Sequence, residues 1–339
     1  VKTGKVPHEL LARLLARLPS GDPRVVVGPR VGEDAAAIAF GDSLLVATTD
    51  PITFATDLIG WYAVHISAND VAVMGAEPRW FLASLLLPPE TGEEALAAIF
   101  EQLGRACEGL GVSLVGGHSE VTAGIERPIV VGCMLGEVSR DRLVTSAGAR
   151  PGDRLVLAGP IAIEGTALLA REAAARLRAA GLTEAELSEA RALLFDPGIS
   201  VVAAARAAVA AGGVTALHDP TEGGLATGLR ELAMASGVGL EVEASAIPLL
   251  GLTRRVCEAL GLEWAGLIAS GSLLAATRPE AADAVVGALG RQGRPASAIG
   301  RVLAPEQGVW LVEAGTRRPL PEFARDEVAR FFSTQEGGA

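Results

Sequence analysis

Asp70 is the residue of this 339-residue sequence that most needs a chemical reason. It stands inside HISANDVAVMGAEP, an otherwise apolar stretch of helical length, where a carboxylate is costly to bury unless it is paired or bound to a metal. Two further aspartates sit at element ends: Asp34, beside Glu33 at the entry to an early hairpin, and Asp50, where that hairpin is left. Acidic oxygen donors of this kind suit Mg²⁺, which in turn suits phosphates. Each has a plain alternative, Asp34 as a turn residue and Asp50 as the residue before Pro51.

A second group is Gly116-Gly117-His118, directly after the apolar run VSLV and followed by Ser119-Glu120. Consecutive glycines at a strand end let backbone N–H groups approach a phosphate, and they make ordinary turns equally well. His118 could be a ligand, a hydrogen-bonding switch or a capped loop histidine. The third group is His218-Asp219-Pro220-Thr221-Glu222-Gly223-Gly224. Thr221 can cap the following helix while Gly223 and Gly224 strip side chains from its first turn, leaving N–H donors open to an anion at the positive end of the dipole. A structural turn competes, because glycine pairs also permit close packing.

The elements that must hold these groups follow from the apolar pattern. DAAAIAF and SLLVATTD flank Gly41-Asp42 and predict an antiparallel hairpin. LIGWYAVHISANDVAVM predicts one buried helix, with Asp57 as N-cap, Gly75 as the stop and Pro78 beyond. WFLASLLL predicts a strand, and Thr91 and Glu94 have the spacing of a capping box for the next helix. Strands around Ser113 to Val115 and Ile129 to Val138 complete the first half. The polar SAGARPGDRL marks the boundary, so the expected domains are residues 1–148 and 149–339. Beyond it come a strand (LVLAG), a helix capped by Thr183 and Glu186, an Ala-rich helix from Ile199 to Ala211, and a helix after Thr221.

Length and a 50% hydrophobic composition allow two ordinary domains, each with a core. The net charge of −11, without clustered Lys and Arg, argues against nucleic acid as a partner and for small molecules. Cys107, Cys133 and Cys257 lie far apart without a CxxC pair, so neither a disulfide framework nor a zinc site is expected, and a reducing, cytoplasmic setting is. Glu9, Arg13 and Arg17 interrupt any signal-peptide core, and the apolar stretches fall short of the roughly 18 to 20 residues that cross a bilayer, so no membrane is expected.

Together NDVAVMGAEP, GEDAAAI, TTD, VGGHSE and HDPTEGGL, in this order and approximate spacing, resemble the aminoimidazole ribonucleotide (AIR) synthase superfamily over nearly the whole chain. The resemblance implies an α+β fold of two domains, an N-terminal domain that dimerises through its sheet and binds Mg-ATP, and an α/β C-terminal domain. It also implies residue roles: Asp34, Asp50 and Asp70 as metal and phosphate anchors, with Asn69, Gly116, Gly117 and His118 facing the nucleotide. His218, Asp219, Glu222, Gly223 and Gly224 would be the second domain's contribution, and Gly4-Lys5 part of an N-terminal arm over the nucleotide, a plain basic terminus being the alternative.

HDPTEGGL is nearest to the hydrogenase-maturation HypE pattern, although HypE-like chains usually carry Arg where Glu222 stands and an acid where His118 stands. They also end in a reactive cysteine, whereas STQEGGA carries none, so an untethered acceptor is expected here. Asp50-Pro51-Ile52-Thr53-Phe54-Ala55 departs from AIR synthases, and Thr221 to Leu225 from thiamine-monophosphate kinases. The chain is therefore identified as an AIR-synthase-related, HypE-like member. The function expected is Mg-ATP-dependent phosphorylation of an amide, acid or alcohol oxygen of a small molecule. A nucleotide-binding accessory protein and a hydrogenase maturation factor acting with a partner protein are the alternatives.

Overall fold

In the computed structural model, residues 5–18, 21–53, 55 and 57–336 are described; Gly4, Phe54 and the terminal Gly337-Gly338-Ala339, named above, are among those outside. Two compact units divide the chain: Gly21–Pro29 with Asp34–Leu143, and the described residues of Val1–Ser20, Arg30–Glu33 and Val144–Ala339. By contact the second half resumes at Val144, and it also takes in part of the N-terminus. Helix α1 (His8–Leu15) and the Arg30–Glu33 segment belong with the second half. Lys5 and His8 reach Glu231 there, and Gly32 passes so close to the same helix that a Cβ would come within 2.7 Å of the Glu231 carbonyl oxygen.

The first unit is a sheet with helices on one face. Its strands are β1 (Val25–Val27), β2 (Ala36–Phe40), β3 (Ser43–Ile52), β4 (Glu77–Leu87), β5 (Ser113–Val121) and β6 (Ile129–Ser139), in the order β1-β2-β3-β6-β4-β5. Only β4 and β5 run parallel. Phe40 pairs with Ser43 across Gly41-Asp42, so the hairpin forms as its sequence predicts, with Gly41 at φ +60°. Helix α2 (Ile59–Val73) is buried on all sides, and α3 (Glu93–Leu110) packs beside it. Glycines set the closeness of these contacts: a Cβ on Gly136 would meet Val71 Cγ1 at 2.4 Å, and one on Gly60 would meet the Ile99 carbonyl oxygen at 2.7 Å.

Two predicted caps are corrected. Helix α2 starts at Leu58, which takes the left-handed conformation (φ 55°) instead of using the Asp57 side chain as N-cap. Helix α3 starts at Gly92, and the Thr91 hydroxyl instead donates to the Pro88 carbonyl, closing the preceding turn at 2.7 Å.

The second unit holds β7 (Arg154–Ala158), β8 (Val214–His218), β9 (Gly239–Glu243), β10 (Leu273–Thr277), β11 (Ala296–Leu303), β12 (Val309–Glu313) and β13 (Thr316–Pro319). Their order is β13-β12-β9-β11-β7-β10-β8, antiparallel except between β9 and β12. Helices α4 (Ile163–Glu172), α5 (Ala174–Ala179), α6 (Glu184–Ala192), α7 (Val202–Ala211), α8 (Gly224–Ser236), α9 (Gly251–Leu260), α10 (Ala282–Gly290) and α11 (Glu327–Glu336) complete it. The Thr183–Glu186 capping box of α6 forms in both directions. Strands β7 and β10 are almost wholly buried, as central strands covered on both faces must be. Among the described residues no single helix is long and apolar enough to cross a membrane.

Candidate functional site

Alternation along β3 puts Leu44, Val46, Thr48 and Asp50 on one face, the first two in the core and the last two at its polar end. Helix α2 crosses that face and brings Asp70, only 8% exposed, against Thr48. The Thr48 hydroxyl donates to Asp70 Oδ2 at 2.8 Å and has the Asp34 carbonyl oxygen at 3.2 Å and Asp50 Oδ2 at 3.3 Å. One carboxylate oxygen of Asp34 lies within 4.8 Å of one from Asp70. The three sequence-predicted acids are thus gathered around one hydroxyl. Hard oxygen donors in a half-buried setting form a donor set that fits Mg²⁺. Thr48 was missed in the sequence, although it stands two residues before Asp50 and the period of two along a strand puts both on one face. Asn69, one residue before Asp70, is fully buried in α2.

Gly116, Gly117 and His118 do not form a loop after a strand. They continue β5, which runs unbroken to Val121 beside β4. The glycines serve strand contact: a Cβ on Gly117, at φ +151°, would come within 2.0 Å of the Ala83 carbonyl oxygen. His118 is exposed, and its Nε2 lies 3.1 Å from Glu120 Oε2. Every residue of β5 is exposed in the single chain, Leu114, Val115 and Val121 included.

In the second unit His218 ends β8, and the chain turns through Asp219-Pro220-Thr221-Glu222-Gly223 into α8. Here a prediction is corrected. Thr221 is not the cap: Gly223 takes that position at φ +85°, and the Thr221 carbonyl accepts from Gly224 and Ala269. Nor are the N–H donors open. The Gly223 N–H donates to Asp326 Oδ2 at 2.7 Å, and Gly224 is packed so tightly that a Cβ would meet the Ala265 and Leu267 carbonyl oxygens at 2.6 and 2.7 Å. The helix end is thus closed from inside by an acid more than a hundred residues away in sequence. His218 and Asp219 are buried and Glu222 is half-buried.

Sequence reasoning also missed the acids around this turn. Asp326 accepts from the Gly223 and Val328 N–H groups, and Glu164 Oε2 accepts the Ser270 N–H at 3.2 Å. Burial first, with the charge of Glu222 adding and the N–H bonds opposing, pushes both carboxyls up to about 7. Glu231, on α8, behaves oppositely. Burial works against its charge, but the Lys5 ammonium at 3.0 Å, His218 Nε2 at 3.1 Å and His8 Nε2 at 3.3 Å outweigh it and hold the carboxyl well below its usual range. Lys5, read in the sequence as nucleotide-binding, is engaged here, and its backbone N–H donates to Glu222 Oε1 at 3.0 Å.

The cysteines are free thiols. Burial pushes Cys107 up to about 11, and burial with nearby glutamates pushes Cys257, in α9, up to about 12; half-buried Cys133 is raised as well. Cys257 is thus a buried thiol on a helix.

Residues 32–138 match the family described as AIR synthase related protein, N-terminal domain, and residues 150–312 match its C-terminal domain. The chain is 34% identical over 298 residues, 85% of its length and 81% of the relative's, to the carbamoyl dehydratase HypE of Cupriavidus necator. Among solved structures it is similar to E. coli HypE (TM-score 0.75, 25% identity, 95% of this chain and 99% of that one). It is also similar to a hydrogenase maturation protein HypE in complex with ATP (TM-score 0.71, 25% identity, 94% and 91%). Two matched domains, the two-sheet α+β fold and these relatives agree, and the chain belongs to the AIR synthase related family, in its HypE-like branch.

Proposed function

We propose that this chain binds Mg-ATP on its N-terminal unit and uses it to phosphorylate an oxygen atom of a small acceptor, so that the oxygen can leave. The observation that carries this reading is the gathering of the Asp34, Asp50 and Asp70 oxygens around Thr48. A divalent cation held by these acids would neutralise phosphate charge and fix the triphosphate. Thr48 sets the direction of the Asp70 carboxylate, and the apolar body of α2 keeps water from the rest of that side chain. The ATP complex of a 25%-identical HypE supports the nucleotide.

The name carbamoyl dehydratase, borne by the Cupriavidus relative, supports a primary amide as acceptor. Transfer of the γ-phosphoryl group to the amide oxygen releases ADP and one amide proton. Cleavage of the C–O bond then expels phosphate, which takes the remaining N–H proton, and leaves a nitrile. His218, Asp219 and Glu222 are the groups we propose for proton handling at the acceptor, Glu222 being oriented by the Lys5 N–H. An acceptor amide carried on Cys107 or Cys257 is disfavoured, because both thiols are buried.

A homodimer through the N-terminal sheet is part of this proposal. The outward face of that sheet carries Leu45, Leu82, Leu86, Val131 and Leu135, half-exposed in the single chain, and β5 continues it as an uncovered edge. A dimer mass in light scattering is expected and a monomer mass with ATP present contradicts it. A maturation partner protein that supplies the carbamoyl group is the finer proposal, tested by co-purification.

The function is tested by screening small amides, acids and phosphorylated metabolites for stimulated ADP release. Turnover of an amide, with a nitrile in the products, is expected. Tight ATP binding without ADP release from any acceptor would favour the accessory-protein reading instead.

A further inference from the structure

Three segments remote in sequence meet at one buried carboxylate. Glu231 lies in the middle of α8, and its Oε1 receives Lys5 Nζ and faces His8 Nε2 while its Oε2 faces His218 Nε2. Lys5 is 41% exposed at its side chain and His8 26%, whereas Glu231 is nearly sealed from water at 8%. The helix that begins at His8 buries none of its residues, and Leu14 is 47% exposed. Leu10, Leu11 and Leu15 are half-buried, so apolar burial holds this segment only in part and the charged contacts to Glu231 add to its attachment. Lys5 also touches the site itself, since its backbone N–H donates to Glu222. A fourth strand of contact comes from Gly32, packed against the Glu231 backbone.

We infer that Glu231 is a positioning residue: it anchors the N-terminal segment through Lys5 and His8, and by the same carboxylate it fixes His218, so that docking of the segment and order of the His218–Glu222 turn rise and fall together. A carboxylate with two oxygens can serve both sides at once, which an amide cannot do with equal strength, because one of its two ends is a donor and would face Nζ–H or an N–H of imidazole. The coupling is local, since Lys5 supplies both the cation for Glu231 and the amide proton for Glu222. It is a property of the second unit and holds whether or not a nucleotide is bound, so its failure would leave the nucleotide reading standing.

Hydrogen exchange of the full chain tests it, followed by mass spectrometry on peptides covering residues 5–15, 218–224 and α10. Lys5→Met keeps most of the side-chain stem and alters no residue of the turn. It should speed exchange about tenfold or more in both 5–15 and 218–224, the scale of losing one charge-assisted bond, while α10 stays as in the wild type. Glu231→Gln should give the same pattern, and Lys5→Arg should restore protection in both peptides. Unaltered protection of 218–224 in Lys5→Met, or loss spread equally to α10, would overturn the inference.

Discussion

Asp70 and Glu231 are both carboxylates set into buried faces of helices, yet their surroundings are opposite. Asp70 accepts from the Thr48 hydroxyl, whose oxygen also lies beside the Asp34 carbonyl and the Asp50 carboxylate, and an Asp34 carboxylate oxygen is within 4.8 Å of one from Asp70. Around Glu231 the near groups are nitrogens: Lys5, His8 and His218. The first arrangement gathers acidic oxygens of the kind a divalent cation binds, and the second brings three basic side chains to one carboxylate. An acid in an apolar helix is therefore not a metal ligand by its type; what decides is whether the fold delivers bases to it or more oxygen.

The contrast can be broken most visibly by stability. Glu231→Leu strands Lys5, His8 and His218 around an apolar side chain and should cost about 3 kcal/mol, the scale of breaking a buried ion pair, in chemical denaturation of the second unit. Asp70→Asn should do the reverse. With one negative charge fewer among crowded oxygens, the ligand-free protein should keep or gain thermal stability. A fall as large as that of Glu231→Leu would mean that the fold itself, and not a bound cation, needs the Asp70 charge.

A second prediction sharpens the comparison through pH. His65, buried in α2 with neither ring nitrogen hydrogen-bonded among the described residues and its ring 4.1 Å from Trp61, is pushed down to about 4 by burial. Between pH about 6.5 and 4 the unfolded chain takes up a proton there that the folded one refuses, so the N-terminal unit loses stability as pH falls. Glu164 and Asp326, pushed up to about 7, keep protons in the folded state that the unfolded chain releases, so their contribution is lost as pH rises from about 4 to 7. Exchange rates resolved by unit should therefore shift in opposite directions across this range. Glu164→Gln should recover on the order of 2 to 3 kcal/mol at pH 8 relative to pH 5. Parallel shifts in both units would contradict the assignment.

The smallest effect is expected at His118. Its exposed ring meets only Glu120 among the described hydrogen bonds, so His118→Ala should change stability by less than about 0.5 kcal/mol in thermal unfolding. Gly117→Ala, at the neighbouring position of the same strand, should cost more because the Ala83 carbonyl stands in the way.

How much of this was legible beforehand follows from how local each cause is. The Gly41-Asp42 hairpin and the Thr183–Glu186 box depend on neighbours within a few residues, and both formed as written. The predicted caps at Asp57, Thr91 and Thr221 failed because a residue able to cap does so only if the backbone enters at the right angle, and Leu58, Gly92 and Gly223 supplied other entries. For Gly116-Gly117 the sequence left a phosphate approach and an ordinary turn both open, whereas in the fold the pair continues a strand and lets two strands come close. The acids around Thr48 were visible as letters, since an aspartate in an apolar helix stands out. Glu231, Glu164 and Asp326 were not, because their partners lie 226, 106 and 103 residues away and ordinary helix and turn positions hide them.

The central claim is that the oxygens around Thr48 hold a cation and its nucleotide. The most direct measurement is the thermal shift produced by ATP with Mg²⁺, and by ATP with EDTA, in the wild type, Asp70→Asn and Lys5→Met. At about a hundredfold excess over the dissociation constant, binding adds about 2.7 kcal/mol to stability, enough to raise the melting temperature by several degrees. Mg-ATP should give that shift in the wild type, and the shift should be lost in Asp70→Asn and with EDTA and kept in Lys5→Met; equal shifts in wild type and Asp70→Asn would contradict a cation site at these acids.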